Sequence, residues 1–301
     1  MSEEPTKERP DVLCVGLAVW DLNYTVSTHP ETDEKIRASG LNGCGGGPAS
    51  NAAVQVVRLG GSAMFAGRVG NDGMGELIAQ DLRSNGVNTA GLCWTHEPSP
   101  VATVLVKPDG SRTVIAPPPS RPVPAQSVTL AETHPKVLLL DGHESELSSV
   151  LVDEAKNLEI PAILDAGSLH AGTRAIWKDI EILAASEKFA RQVTGETEPN
   201  TIFAKIQALH RGKACIVTFG EYGLIYSEDN SAPKHLRAFP VKTIDSNGAG
   251  DAFHGALALA LSRKHALEEA CVYASAAGAL TVTKPGARTA LPNAKDLATL
   301  L

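Results

Sequence analysis

A chain of 301 residues with 43% hydrophobic and 20% charged side chains has room for a sizeable core and an ordinary globular composition, which excludes a disordered polypeptide. The net charge is −7 and no run of Lys or Arg occurs, which argues against nucleic acid and against an anionic membrane as partners. Five cysteines, Cys14, Cys44, Cys93, Cys215 and Cys271, stand far apart with no CxxC or Cys/His cluster, so structural zinc is not indicated and the reduced thiols of a cytoplasmic protein are expected.

Residues 1–10 are polar, carry no secretory signal and are expected to be flexible, leaving 11–301 as the folded domain. Residues 12–18 (VLCVGLA) form a short apolar run rich in β-branched side chains and predict a buried strand. Residues 22–27 (LNYTVS) and the stretch before Cys44 instead alternate polar and apolar. A helical pattern covers 49–59 and stops at Gly60-Gly61, a C-cap signal; a strand follows at 63–69 and a helix at 75–84, ending near Gly86. Residues 102–106 and 112–116 alternate again around the hairpin-like turn Pro108-Asp109-Gly110-Ser111, and a Pro-rich link, 117–124, follows. Further buried strands are predicted at 137–141, 162–165 and 215–219, with helical patterns at 146–157, 186–194 and 201–211. The most apolar long segment, 249–261, is interrupted by Asp251 and His254 and is too short to span a bilayer.

Strand–helix alternation predicts an α/β fold with a doubly wound, mostly parallel sheet flanked by helices. The polar–apolar alternating stretches do not fit that scheme. They predict a small separate β-sheet, inserted at about 22–45 and 100–117, that projects from the body as a lid over a cleft. Such a sheet exposes a surface that a second copy could cover, so a homodimer through the lid is expected.

The chemistry concentrates in residues 243–256, TIDSNGAGDAFHGA. Gly248-Ala249-Gly250 precede a helix beginning near Asp251, and the first N–H groups of a helix are unpaired and favour an anion. Small side chains let a phosphate approach that backbone closely. An acid at this position would repel a phosphate, but it could take a proton from a hydroxyl attacking one. The alternative is an ordinary N-terminal helix acid that interacts with the dipole.

These residues carry a resemblance. DSNGAGDAFHGA resembles the C-terminal signature of the ribokinase-like (PfkB) carbohydrate kinases. Residues 43–60 (GCGGGPASNAAVQVVRLG), 67–76 (GRVGNDGMGE), 217–226 (VTFGEYGLIY) and 279–292 (ALTVTKPGARTALP) are similar to further motifs of that family, in the same order across nearly the whole chain. The look is closest to the ketohexokinase and sulfofructose kinase branch. The resemblance implies ATP-dependent phosphorylation of a primary hydroxyl with Mg2+, Asp251 as general base and Gly248, Ala249 and Gly250 as the anion hole. It places Asp21, Asp33, Gly46, Gly47 and Asn51 on the sugar, Thr218, Gly220 and Gly223 on the phosphate and ribose side of ATP, and Gly286 and Ala287 beside adenine. Asp245 and Asn247 match part of a monovalent-cation (K+) site, although Asp245 could equally fix its turn by Asx-type hydrogen bonds.

One departure concerns Mg2+. The usual N-x-x-E motif, registered on Thr194-Gly195, falls on Ser186 and Phe189, which leaves Glu187 as the nearest acid. Arg112 could face substrate or partner, or be a surface strand residue. His143 lies at the strands' binding edge and His254 reads as packed. The implied substrate is a fructose-type ketose or derivative, with ribose, a nucleoside, or a non-catalytic binding role as alternatives.

Overall fold

The computed structural model describes residues 9–108, 111–116 and 121–301; the N-terminal 1–8, the hairpin tip 109–110 and part of the Pro-rich link, 117–120, lie outside the described residues. In chain order the elements are β1 (Val12–Val15), β2 (Val19–Thr25), β3 (Gly40–Gly46), α1 (Pro48–Arg58), β4 (Ala63–Gly70), α2 (Gly73–Ser84), β5 (Asn88–Thr95), β6 (Val101–Val106) and β7 (Arg112–Ile115). They continue as α3 (Leu130–Thr133), β8 (Val137–Leu140), α4 (Ser145–Asn157), β9 (Ala162–Ala166), α5 (Ala171–Ile176), β10 (Ile182–Ser186), α6 (Glu187–Thr194), α7 (Pro199–Leu209) and β11 (Ala214–Thr218). The last are β12 (Leu224–Glu228), β13 (Lys234–Leu236), α8 (Ala249–Ser262), α9 (Leu267–Thr281) and α10 (Ala294–Leu297).

The main sheet has nine strands in the order β13-β12-β11-β10-β9-β8-β1-β4-β5. Pairing is parallel from β5 to β11, and β12 and β13 add antiparallel strands at one edge. The central strands are apolar and buried on both sides because helices cover both faces. One core packs α1, α8 and α9 on the side of Val12, Cys14 and Phe65, and the other packs α4, α6 and α7 on the side of Leu13, Leu138 and Phe189. From β1 the chain reaches β4 on one side and β8 on the other, so the strand order reverses there and leaves a crevice at the strands' carboxyl ends.

The smaller sheet has four strands in the order β3-β2-β6-β7. It is built from the stretches predicted as a lid, with β2 starting at Val19, earlier than the expected boundary. The strand expected over 12–18 ends at Val15 because Gly16 crosses the Asp141 carboxylate, where any Cβ would collide, and the chain then leaves the main sheet. Four strands lie where none was predicted. β5 is an edge strand with a mixed burial pattern, the Ala-rich β10 runs directly into α6, and β12 and β13 pair antiparallel outside the βα rhythm. Among the described residues no helix is long and apolar enough to cross a membrane.

The helices nearest the crevice, α1 and α8, are held close by Gly255, where an added Cβ would stand 2.5 Å from the carbonyl oxygen of Ala52. Gly255→Val is therefore expected to force them apart and lower the unfolding free energy by roughly 1–3 kcal/mol, read from urea titrations. Unchanged stability in that variant would mean that the contact is not limiting.

Candidate active site

Gly248 caps α8 in the left-handed conformation, φ 76°, which favours glycine. A side chain there would also meet Cα of Ala287 at 2.9 Å, so residues 245–250 and 285–288 lie against each other. At Gly250 nothing stands within 4 Å of a would-be Cβ, which leaves the first turn of α8 open to approach by an anion. Asp251 sits in that turn, and the close α1–α8 packing brings Asn51 to it, its Nδ2 donating to Oδ2 at 2.6 Å. Burial, reinforced by the nearby Asp165 carboxylate, pushes the Asp251 carboxyl up to about 7. A carboxylate so tuned can hold or release a proton near neutrality, as a general base must.

Behind Asp251 lies a polar network. The buried Arg288 donates from Nε to Oδ1 of Asn51 at 2.9 Å, and its other nitrogens pair with Asp81 and with the hydroxyl of Ser50. Asn51 thereby has both ends of its amide engaged, one with the base and one with a cation. One turn after Asp251, the buried His254 directs Nε2 to the carbonyl oxygen of Ala184 at 3.2 Å. Its Nδ1 lies 3.1 Å from Oδ2 of Asp165, a charge contact without hydrogen-bond alignment. Burial opposes a charge on His254, but Asp165, Asp251 and the Ala184 carbonyl together outweigh it and the pKa is raised. The packed ring expected from the sequence is thus also a neighbour of Asp251 whose protonation its surroundings favour.

At the switch point, Asp141 accepts from the N–H groups of Leu17 at 2.8 Å, Ala49 at 3.2 Å and His143 at 2.9 Å, fastening the start of α1 to the end of β8. The His143 ring also lies 3.1 Å from Asp141 and stacks on His170 at 4.7 Å between centroids. Against the downward push of burial, Asp141 raises His143 to about 9.

On the side of the smaller sheet, Asp21 on β2 faces Gly46 on β3 so closely that a Cβ at Gly46 would strike the carboxylate. At Gly47, φ 98°, a Cβ would meet the carbonyl of Leu17, so both glycines are required by the backbone path and leave Asp21 room. Burial raises the Asp21 carboxyl to about 6 against the lowering influence of Arg288. Asp33 is not brought into this cluster. It lies exposed between β2 and β3 with φ 61°.

Along the same carboxyl edge, Thr218 ends β11 with its hydroxyl 3.4 Å from the carbonyl of Ala185. Gly220 opens a short 3-10 turn with free space where its side chain would be, suiting close approach of a ligand. Gly223 closes that turn with φ 93°, against the carbonyl of Leu236. Gly286 and Ala287 lie against the cradle, as Gly248 requires.

The carboxylate of Asp245 accepts from the N–H groups of Asn247 and Gly286, both at 2.9 Å, and from the guanidinium of Arg112 on β7. Burial raises its pKa, yet these donors leave it net lowered. Asp245 therefore fixes its turn in the Asx manner, and Arg112 is engaged by its carboxylate. Glu187 begins α6 and is held by Arg191 of the same helix at 2.9 and 2.6 Å, while Ser186 caps the helix by accepting from Phe189 N–H at 3.0 Å. Among the described residues no group of three or more His, Cys, Asp or Glu converges as a metal cage.

Sequence reasoning passed over Arg288, Asp141 and Asp165. Arg288 was visible as a cation within a motif of mostly small residues, and the two aspartates as acids at or near the ends of apolar strands at the binding edge.

An acid at a helix N-terminus with an open backbone beside it, at the switch point of a doubly wound sheet, suits phosphoryl transfer to a hydroxyl. The family model for pfkB family carbohydrate kinases matches residues 9–294, and the chain belongs to that family. It is 28% identical to ribokinase of Bacillus subtilis, covering 97% of this chain and 99% of that protein. It is 29% identical to fructokinase-2 of Solanum lycopersicum, covering 87% and 88%. Among solved structures, Arabidopsis thaliana ribokinase complexed with ribose and ATP superposes with TM-score 0.83 at 26% identity, covering 97% of this chain and 98% of that one. Ribokinase from Thermotoga maritima gives TM-score 0.85 at 25% identity, covering 97% and 99%.

The Asp251 environment sets a pH dependence. Activity in kcat/KM is expected to fall as pH drops through about 7, where Asp251 takes up its proton and ceases to be a base. His254→Gln removes a neighbouring positive charge, so the acid limb should move to higher pH. A limb that stays in place would show that His254 does not act on Asp251.

Proposed function

We propose that this carbohydrate kinase transfers the γ-phosphoryl group of ATP to a primary hydroxyl of a fructose-type ketose or a derivative of one. The observation that carries the reading is Asp251, tuned to about 7 and held by Asn51 at 2.6 Å, directly beside the open cradle of Gly248, Ala249 and Gly250. Asp21, backed by Gly46 and Gly47, accepts hydrogen bonds from sugar hydroxyls, and Asn51 faces the sugar from the first turn of α1. The cradle's N–H groups hold the transferring phosphoryl while Asp251 receives the alcohol's proton. The open turn at Gly220, with Thr218, Gly223, Gly286 and Ala287, accommodates the nucleotide. Mg2+, when bound, would offset charge on the phosphates, which would themselves supply most of its ligands because Glu187 is engaged by Arg191.

The fructokinase relatives support the ketose, and ribose is the second reading because the ribose-bound ribokinase superposes over nearly the whole chain. Asp33 would reach the sugar only if the loop between β2 and β3 moved inward. The smaller sheet acts as the lid of the 11–301 domain. It exposes the apolar Leu41, Val114 and Ile115, which supports a homodimer through the lid. Five free cysteines, three of them buried, support a cytoplasmic location.

A coupled assay over ketoses, aldopentoses, sulfofructose and nucleosides tests the substrate, with the highest kcat/KM expected for a ketohexose or its derivative. A nucleoside optimum would overturn that choice. Asp251→Asn is expected to lower kcat by about 10²–10⁴ with nucleotide affinity nearly intact. Light scattering should show a dimer at micromolar protein, and a monomer there would contradict the lid interface.

A further inference from the structure

The family implies a monovalent cation at Asp245, and the residues present do not fit one. Both carboxylate oxygens are occupied by donors. Oδ1 takes the Asn247 N–H at 2.9 Å and the Arg112 guanidinium, and Oδ2 takes the Gly286 N–H at 2.9 Å. A cation at this carboxylate would face a fixed positive charge in a partly covered site, the exposed fractions being 26% for Arg112 and 18% for Asp245. The carbonyl of Val282, a possible oxygen ligand beside it, is also engaged, by the N–H groups of Ile244 at 2.7 Å and Asp245 at 3.2 Å.

Arg112 is not part of the body that holds Asp245. It opens β7, the edge strand of the smaller sheet, and pairs in register with Val106 of β6. Its guanidinium therefore bridges the lid sheet to the turn that carries the phosphate cradle. Asp245 joins that turn to Gly286, and Gly248 in turn leans on Ala287, so one carboxylate fixes the spacing of the two loops that shape the cradle. Its negative charge needs a positive partner to keep that spacing when phosphates arrive nearby.

We propose that Arg112 is a positioning residue that takes the electrostatic place of a monovalent cation at Asp245, so that the kinase needs no K+ and its cradle is completed by the lid. This rests on the kinase reading above. The charge is delivered by the smaller sheet rather than by solvent, so the cradle is complete only while β7 lies beside it.

The test compares wild type and Arg112→Met in KCl and in tetramethylammonium chloride at matched ionic strength. Wild-type kcat/KM is expected to change by less than about twofold between the salts, since an exposed-charge screening effect is equal in both. Arg112→Met should lose about tenfold or more in tetramethylammonium, the scale of one hydrogen bond to a charged group, and recover in KCl. Melting curves without substrate give an independent readout: K+ should raise Tm of Arg112→Met and leave that of wild type unchanged. Several-fold activation of wild type by K+ would overturn the proposal. So would a loss in Arg112→Met that K+ does not restore, or an Arg112→Met protein whose Tm ignores K+. If no sugar is turned over, the kinase reading fails while the melting curves still decide whether Arg112 replaces a cation.

Discussion

The structure depends on keeping a carboxylate chargeable where water is scarce. Asp251 occupies the first turn of α8, between the open backbone at Gly250 and the packed interior, and burial works against its charge. Left alone, such a group would stay protonated through the physiological range and could not serve as a base. Three features counter this. The α8 N-terminus favours an anion, Asn51 donates a hydrogen bond at 2.6 Å, and His254 one turn further along lowers the Asp251 pKa. The neighbouring Asp165 pushes the other way while favouring protonation of His254, so Asp251 is poised near neutrality by opposed influences.

That balance reaches outward through packing. Gly255 lets α8 lie against Ala52 of α1, which is what brings Asn51 within reach of Asp251. Arg288 fixes the far end of the Asn51 amide and pairs with Asp81 of α2, so three helices and the 285–288 loop share one polar network. Asp141 fastens the start of α1 at the point where the strand order reverses. Asn51, Arg288 and Asp141 are buried polar groups with partners in place, the condition under which such networks rigidify a site rather than weaken it.

The parts of this site written in contiguous motifs were legible in the sequence. The open glycines before Asp251 and the Gly46–Gly47 pair left local signals, because a backbone path without side chains is written in contiguous residues, whereas Asp21, read as an acid following the first strand, lies within β2 of the smaller sheet. The doubly wound sheet and the separate small sheet followed from the contrast between continuous and alternating apolar patterns. What escaped were contacts between residues far apart in the chain. Arg288 meets Asn51 across 237 positions and Arg112 meets Asp245 across 133, and neither separation leaves a trace in spacing. Strand β10 escaped for a different reason: ILAAS has weak β propensity and owes its place to pairing with β9 and β11 on both sides.

The central claim is that Asp251 faces the acceptor hydroxyl with the cradle on its other side. A crystal structure with the preferred sugar and a non-hydrolysable ATP analogue measures this most directly. The account predicts a primary hydroxyl oxygen about 2.6–3.2 Å from a carboxylate oxygen of Asp251, with the terminal phosphate against the N–H groups of residues 248–250. A sugar bound with its primary hydroxyls turned away from Asp251, or a terminal phosphate held elsewhere, would contradict it.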